Sequence, residues 1–202
     1  MSGQVMSRES LLERLEHGLD GLETLLEGQR PDSLRRRSAE GKWSAHENLA
    51  HLGRYHEVTL ERLDLILAST LPRINRYSAE NDPEAASWLS MPTGGVLGEM
   101  REVRRVLFER CLRLTTSDLE RQGVHPLYGS MALRAWLEFF LVHEGHHLYL
   151  CLLRLGEARA YEAALSLKTD PELDSGLDSG SESGSELETE SATESSFSSA
   201  QT

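Results

Sequence analysis

Leucines at 11, 12, 15, 19, 22, 25 and 26 recur at alternating three- and four-residue steps. That spacing predicts an amphipathic helix over 8–28, ended by Gly28 and Pro31. After the polar stretch "RPDSLRRRSAEGKW", Ser44 and Glu47 form an S-x-x-E capping box that opens a second helix over 44–69. Pro72 stops it, and three prolines within 71–92 predict a long crossover or short helical pieces. Thr93 is positioned to cap a third helix over 94–115, with Val96, Met100, Val103, Leu107, Cys111 and Leu114 on one side. "TTSDLERQGVHPLYGS" connects it to a last helix, capped by Ser130, running over 131–156 and ending at Gly156. No segment shows sustained period-two alternation and no Asn-Gly or Asp-Gly hairpin appears, so no strands are expected. The expected fold is all-α, a four-helix bundle with a long crossover connection, built around one core and without internal repeats.

Charge divides the chain in two. Of the net −12, residues 169–202 supply nine acids and no Lys or Arg, leaving 24 acids against 21 bases in the rest. This gives a helical domain over 1–168 and an acidic Ser/Glu-rich tail over 169–202, expected to be disordered because it lacks the apolar residues to offset its chain entropy. The nearly neutral domain offers no basic face of the kind nucleic acids require. The runs "RRRSAEGK" and "REVRR" read as solvated faces, because no aromatic side chains interleave with them. No nucleic-acid partner is therefore expected. "MSGQVMSRES" contains no apolar stretch of the secretory type, and no apolar run approaches the ~18 residues that span a bilayer. Cys111 and Cys151 both sit in apolar helical patterns. The expectation is a reduced, soluble, cytoplasmic protein with no membrane partner.

The candidate chemistry lies in "LVHEGHHLYL", where three of the eight histidines occupy five positions. His143 and His147, four apart, share one helix face at a spacing that suits two imidazoles on one metal ion. Trp136, Phe139, Phe140, Leu150 and Cys151 flank that face, so it should point inward. His146 points roughly 100° away and reads as a rim residue. The same stretch contains H-E-x-x-H, which in zinc peptidases would make Glu144 a general base. A suitable downstream ligand and a substrate-binding strand are both missing, so a peptidase is not expected. A better third ligand lies upstream, where "WSAHENLAHL" places Trp43, Glu47 and His51 at successive four-residue steps. Glu47 can cap the helix and also orient His51.

W-S-x-x-E-x-x-x-H-L at 43–52, together with "HPLYGSMALRAWLEFFLVHEGHHL" at 125–148, resembles the DinB superfamily over about residues 8–157. The resemblance implies a four-helix bundle holding a divalent metal, often zinc or nickel, on three histidines, here His51, His143 and His147. The family often continues H-x-x-x-H-x-x-Q; here that Gln position is Leu150, and Cys151 falls on the ligand stripe instead. Cys151 is either a small core residue or a fourth ligand.

Two function classes follow from the resemblance. One is a metal-dependent thiol transferase or hydrolase acting on small molecules in stress or detoxification, with a low-molecular-weight thiol as a second substrate. His125, Tyr55, Tyr128 and Glu47 are then candidates for polar roles around the metal. The other is a non-catalytic stress-response or interaction module that the metal merely ties together. Relatives also often form homodimers through helix faces. In either class, affinity for the metal should fall below about pH 6.5, because only neutral imidazole binds.

Overall fold

The computed structural model describes residues 7–169. The acidic tail therefore lies outside the described residues, apart from Thr169. Eight α-helices and one two-stranded hairpin are described: α1 (Arg8–His17), α2 (Leu22–Leu26), α3 (Pro31–Arg35), α4 (Ala45–Ala68), α5 (Pro83–Ser90), α6 (Thr93–Leu112), α7 (Thr116–Leu119), β1 (Gln122–His125), β2 (Gly129–Ala132) and α8 (Leu133–Thr169). The α1–α2 segment, α4, α6 and α8 form the four-helix bundle. Helix α4 packs along both α6 and α8, and α1 closes the bundle against the same two helices.

The predicted first helix is two. The sequence "HGLDG" interrupts it between His17 and Leu22, and His17 bonds Asp20 at 2.8 Å in the break. The leucine stripe survives the interruption: Leu11, Leu15, Leu19, Leu22 and Leu26 are all buried. The second helix starts as expected, with both hydrogen bonds of the Ser44–Glu47 capping box formed. The crossover contains α5, whose Trp88 lies flat against Gly53 of α4; a Cβ at Gly53 would meet the indole at 2.0–2.8 Å. Thr93 does not cap α6. Pro92 takes that position, and the Thr93 hydroxyl bonds His46 Nδ1 at 2.9 Å.

Two further expectations are corrected. Residues 122–132 form an antiparallel hairpin, with Gln122 opposite Ala132 and His125 opposite Gly129. Its three-residue turn closes through Gly129 at φ +73°, a conformation that favours glycine. Ser130, expected to cap the last helix, lies in β2 and bonds Gln122. The crossover lies alongside the hairpin, through Val124 N–H to Pro72 O at 2.8 Å and Ile74 N–H to Val124 O at 3.0 Å. Helix α8 passes through Gly156 and continues to Thr169. Glycine inside a helix costs only about 1 kcal/mol, and the "EARAYEAAL" that follows consists mostly of strong helix formers. Ser33 bonding Glu162 and Arg36 over the Tyr161 ring dock the extension on the body of the protein.

The core consists of two apolar clusters. One gathers Leu15, Tyr55, Leu107 and Phe140; the other gathers Leu19, Leu52, Val103 and Cys151. Between those contributions, α4, α6 and α8 supply His56, Arg104 and Glu144, all buried. Arg104 and Glu144 are ion-paired, and His56 Nε2 lies 3.1 Å from the same carboxylate. His56 is anchored by its Nδ1–H to the Leu52 carbonyl at 2.6 Å. Gly18 is pressed against this layer; a Cβ there would come within 3.4 Å of Glu144 Oε1.

Candidate metal centre

Helix α4 brings one histidine and α8 two to a single point. Ligand atoms of His51, His143 and His147 all lie within 4.8 Å of one another, the one such cluster among the described residues. Nε2 of His51 faces Nε2 of His143 at 3.3 Å. Two ligands of a tetrahedral ion with bonds of 2.0–2.1 Å would stand about 3.3 Å apart. Burial holds all three imidazoles neutral: His51 is pushed down to about 4, His143 to about 3 and His147 to about 2.

The tautomer of His147 follows from its neighbour. Asn48 Nδ2–H donates to the Ser44 carbonyl at 2.9 Å, which turns Asn48 Oδ1 toward His147 Nδ1 at 2.8 Å. An amide oxygen accepts only, so the proton is on Nδ1 and the Nε2 lone pair of His147 is free for a metal. Nδ1 of His51 and of His143 is buried without a hydrogen-bond partner. Ring packing orients those two instead. Trp43 lies 5.1 Å from His51 and 5.9 Å from His147, Tyr55 lies 4.0 Å from His143, and Tyr77 lies 5.6 Å from His51. The donor set therefore fits one divalent ion.

Other candidates fall elsewhere. Cys151, raised as a fourth ligand, belongs to the apolar core, fully buried and with its thiol pushed up to about 12 by burial. It is not part of the ligand cluster. Glu144 belongs to the charged layer with Arg104 and His56; burial opposes its ionisation, yet those two partners hold its carboxyl below the usual range. Glu47 is occupied by the capping box and by an ion pair with Arg37. His146 is exposed, as its position on the helix suggested.

The triad opens on a cleft of about 570 Å³. Besides the triad it is lined by Tyr55, Tyr77 and Phe139, by the hairpin turn with His125 and Tyr128, and by Arg62 and Arg76. His125 and Tyr128 thus line the same cleft as the triad. Asn48, Tyr77, Arg62 and Arg76 were not singled out from the sequence. For Asn48 a signal existed: it lies three residues before His51 on the same predicted helix.

The basic runs are engaged within the protein. Arg37 pairs with Glu47, Arg101 with Glu23, Arg104 with Glu144, and Arg105 with Glu102 and Glu109. Among the described residues no helix is long and apolar enough to cross a membrane.

Comparisons with known proteins agree with this architecture. YfiT from Bacillus subtilis, described as a probable metal-dependent hydrolase with an unusual four-helix bundle topology, matches with a TM-score of 0.66 at 18% identity. The match covers 79% of this chain and 93% of that one. At that identity the likeness speaks to fold. No curated protein matches the sequence. The model of the DinB superfamily matches residues 14–151, which run from α1 through both histidines of α8. The chain belongs to the DinB superfamily.

Proposed function

We propose that His51, His143 and His147 hold one divalent ion, of the zinc or nickel kind that imidazole suits, and that the protein uses it on small molecules. The reaction class is transfer to water or to a low-molecular-weight thiol, that is, a metal-dependent hydrolase or thiol transferase. One observation carries this reading: the three ligand atoms meet at the wall of a 570 Å³ cleft with no fourth His, Cys, Asp or Glu beside them among the described residues. Three-ligand sites that keep an open position are the catalytic type, whereas structural sites are closed by a fourth residue. The ion would supply a lowered pKa for the water or thiol that attacks.

The chain's own residues do the rest. Asn48 fixes the ring of His147. Trp43, Tyr55 and Tyr77 surround His51 with aromatic rings and keep bulk water from it. The Tyr55 oxygen accepts from Arg62 Nη1 at 2.8 Å, so its own O–H is left to donate to an oxygen of the substrate. Burial raises the Tyr55 pKa, which keeps that proton in place at neutral pH. Neither Glu144 nor Glu47 serves as a base, because each is bound elsewhere.

The test is metal analysis of purified protein beside His51→Ala, His143→Ala and His147→Ala. Ester hydrolysis and thiol addition to 1-chloro-2,4-dinitrobenzene are assayed on the same samples. The expected result is about one ion per chain in the wild type, none in the variants, and activity only where metal is bound. Metal retained by any of the three variants overturns the site, and activity that survives metal loss overturns the mechanism.

A further inference from the structure

The cleft beside the triad has a charge unlike that of the protein around it. The described part of the chain carries 24 acids and 21 bases, yet no Asp or Glu lines this cleft. Its charged groups are two guanidiniums. Arg62 donates to the Tyr55 oxygen and to the Asn75 carbonyl, and it lies over the rings of Tyr55 and Trp136 at 5.3 and 5.5 Å. Arg76 stands exposed on the crossover. No carboxylate pairs with either among the described residues, whereas most other arginines of the protein are paired. Of the acids nearest in sequence, Asp82 pairs with Arg54 and bonds Tyr77, and Glu80 accepts from Ser78 and acts on His51 from a neighbouring pocket rather than from this cleft.

The hairpin turn that lines the cleft adds a donor. His125 Nδ1 accepts the backbone N–H groups of both Leu127 and Tyr128, each at 3.1 Å. The turn that Gly129 closes thus fixes the tautomer, leaving the proton on Nε2. Burial, with help from Arg62 and Arg76, lowers the pKa of this ring, so it is a neutral N–H donor rather than a titrating base. Two unpaired guanidiniums and one fixed N–H, set among Tyr77, Tyr128 and Phe139, form a site for a planar anion with an apolar body.

We propose that this cleft binds small carboxylate-bearing compounds, with Arg62, Arg76 and His125 Nε2–H taking the carboxylate and the aromatic walls taking the body. That such a compound is the substrate rests on the metal-site reading above; the recognition itself does not.

The probes are benzoate, phthalate and the neutral isostere benzamide, titrated calorimetrically into the full chain in zinc-loaded and chelator-stripped forms. Benzoate and phthalate should bind at least tenfold more tightly than benzamide in both forms. Arg76→Gln and His125→Phe should each erase most of that preference. Arg62→Gln should do the same, but Arg62 packs on Tyr55 and Trp136, so Arg76, on the exposed crossover, is the deciding position. Equal binding of benzoate and benzamide overturns the proposal, as does wild-type benzoate affinity in Arg76→Gln. Benzoate binding that requires zinc and disappears in His51→Ala also overturns it, because the ion rather than the guanidiniums would then hold the carboxylate. A protein that takes up no zinc but still prefers benzoate upholds this inference while refuting the metal site.

Discussion

Asn48 does for His147 what no residue does for His51 or His143: it fixes the proton on Nδ1. Replacing it with Leu, of similar size, should lower zinc affinity about 10- to 100-fold, the usual effect of removing such a partner. Asn48→Asp, which keeps the acceptor, should recover much of the loss; competition with a chromophoric chelator measures both. The ligand pair itself was legible, because a four-residue step places two side chains on one face whatever the tertiary fold. Asn48 was legible only as a neighbour of His51 on the same helix; its bond to His147 was not, because it reaches across the bundle to a residue 99 positions away. The cysteine at the next four-residue step, open between core and ligand in the sequence, proves to be core. It shares the stripe, but the stripe runs on from the cleft into the apolar core, and Cys151 lies beyond that boundary. Burial also changes the expected pH dependence. An unfolded His titrates near 6.5, while the folded values are about 4, 3 and 2. Below 6.5 the unfolded chain therefore binds protons that the folded metal-free protein does not, and stability is lost as pH falls from 6.5 toward about 2, with His51 the first of the three to protonate in the folded protein, near 4. Metal binding to the folded protein should accordingly persist below pH 6.5 and fail near 4, where the protein itself weakens. Denaturant midpoints and zinc titrations between those limits would show whether the two losses separate.

At the scale of elements, the helices were legible from period and caps, and the hairpin was not. Its strands are four residues each, its turn holds no Asn-Gly or Asp-Gly, and its support comes from Pro72 and Ile74, some fifty residues away in sequence. A window of local sequence cannot see that support. The continuation of α8 was missed because Gly156 resembles a stop, while the contacts that dock the extension come from α3. The layer of His56, Arg104 and Glu144 joins α4, α6 and α8 between the two apolar clusters. Removing one member leaves another buried charge unpaired. Glu144→Gln should thus destabilise the bundle by about 3 kcal/mol or more, while metal content stays at the wild-type level. Urea denaturation and metal analysis of the same sample decide the matter. Loss of metal without loss of stability would return Glu144 to the site.

At the scale of the molecule, the division between a helical body and an acidic terminus still rests on composition. Residues 170–202 hold nine acids, no base and little apolar surface. Truncation after Thr169 should leave the thermal midpoint within about 2 °C of the full chain, the shift expected for well under 1 kcal/mol in a protein of this size. A drop of ten degrees would mean that the terminus packs on the bundle. The body has its own long-range constraint, since His51 and His143 are 92 positions apart and on different helices. A chain growing on the ribosome presents His51 early, with Trp43 and Asn48 already beside it in sequence, and until position 143 it has only one imidazole of the triad. Uptake of the ion must wait until α8 has emerged and docked. On the metal-site reading proposed above, the ion would be a late clasp, closed only after the two helices that hold it have met.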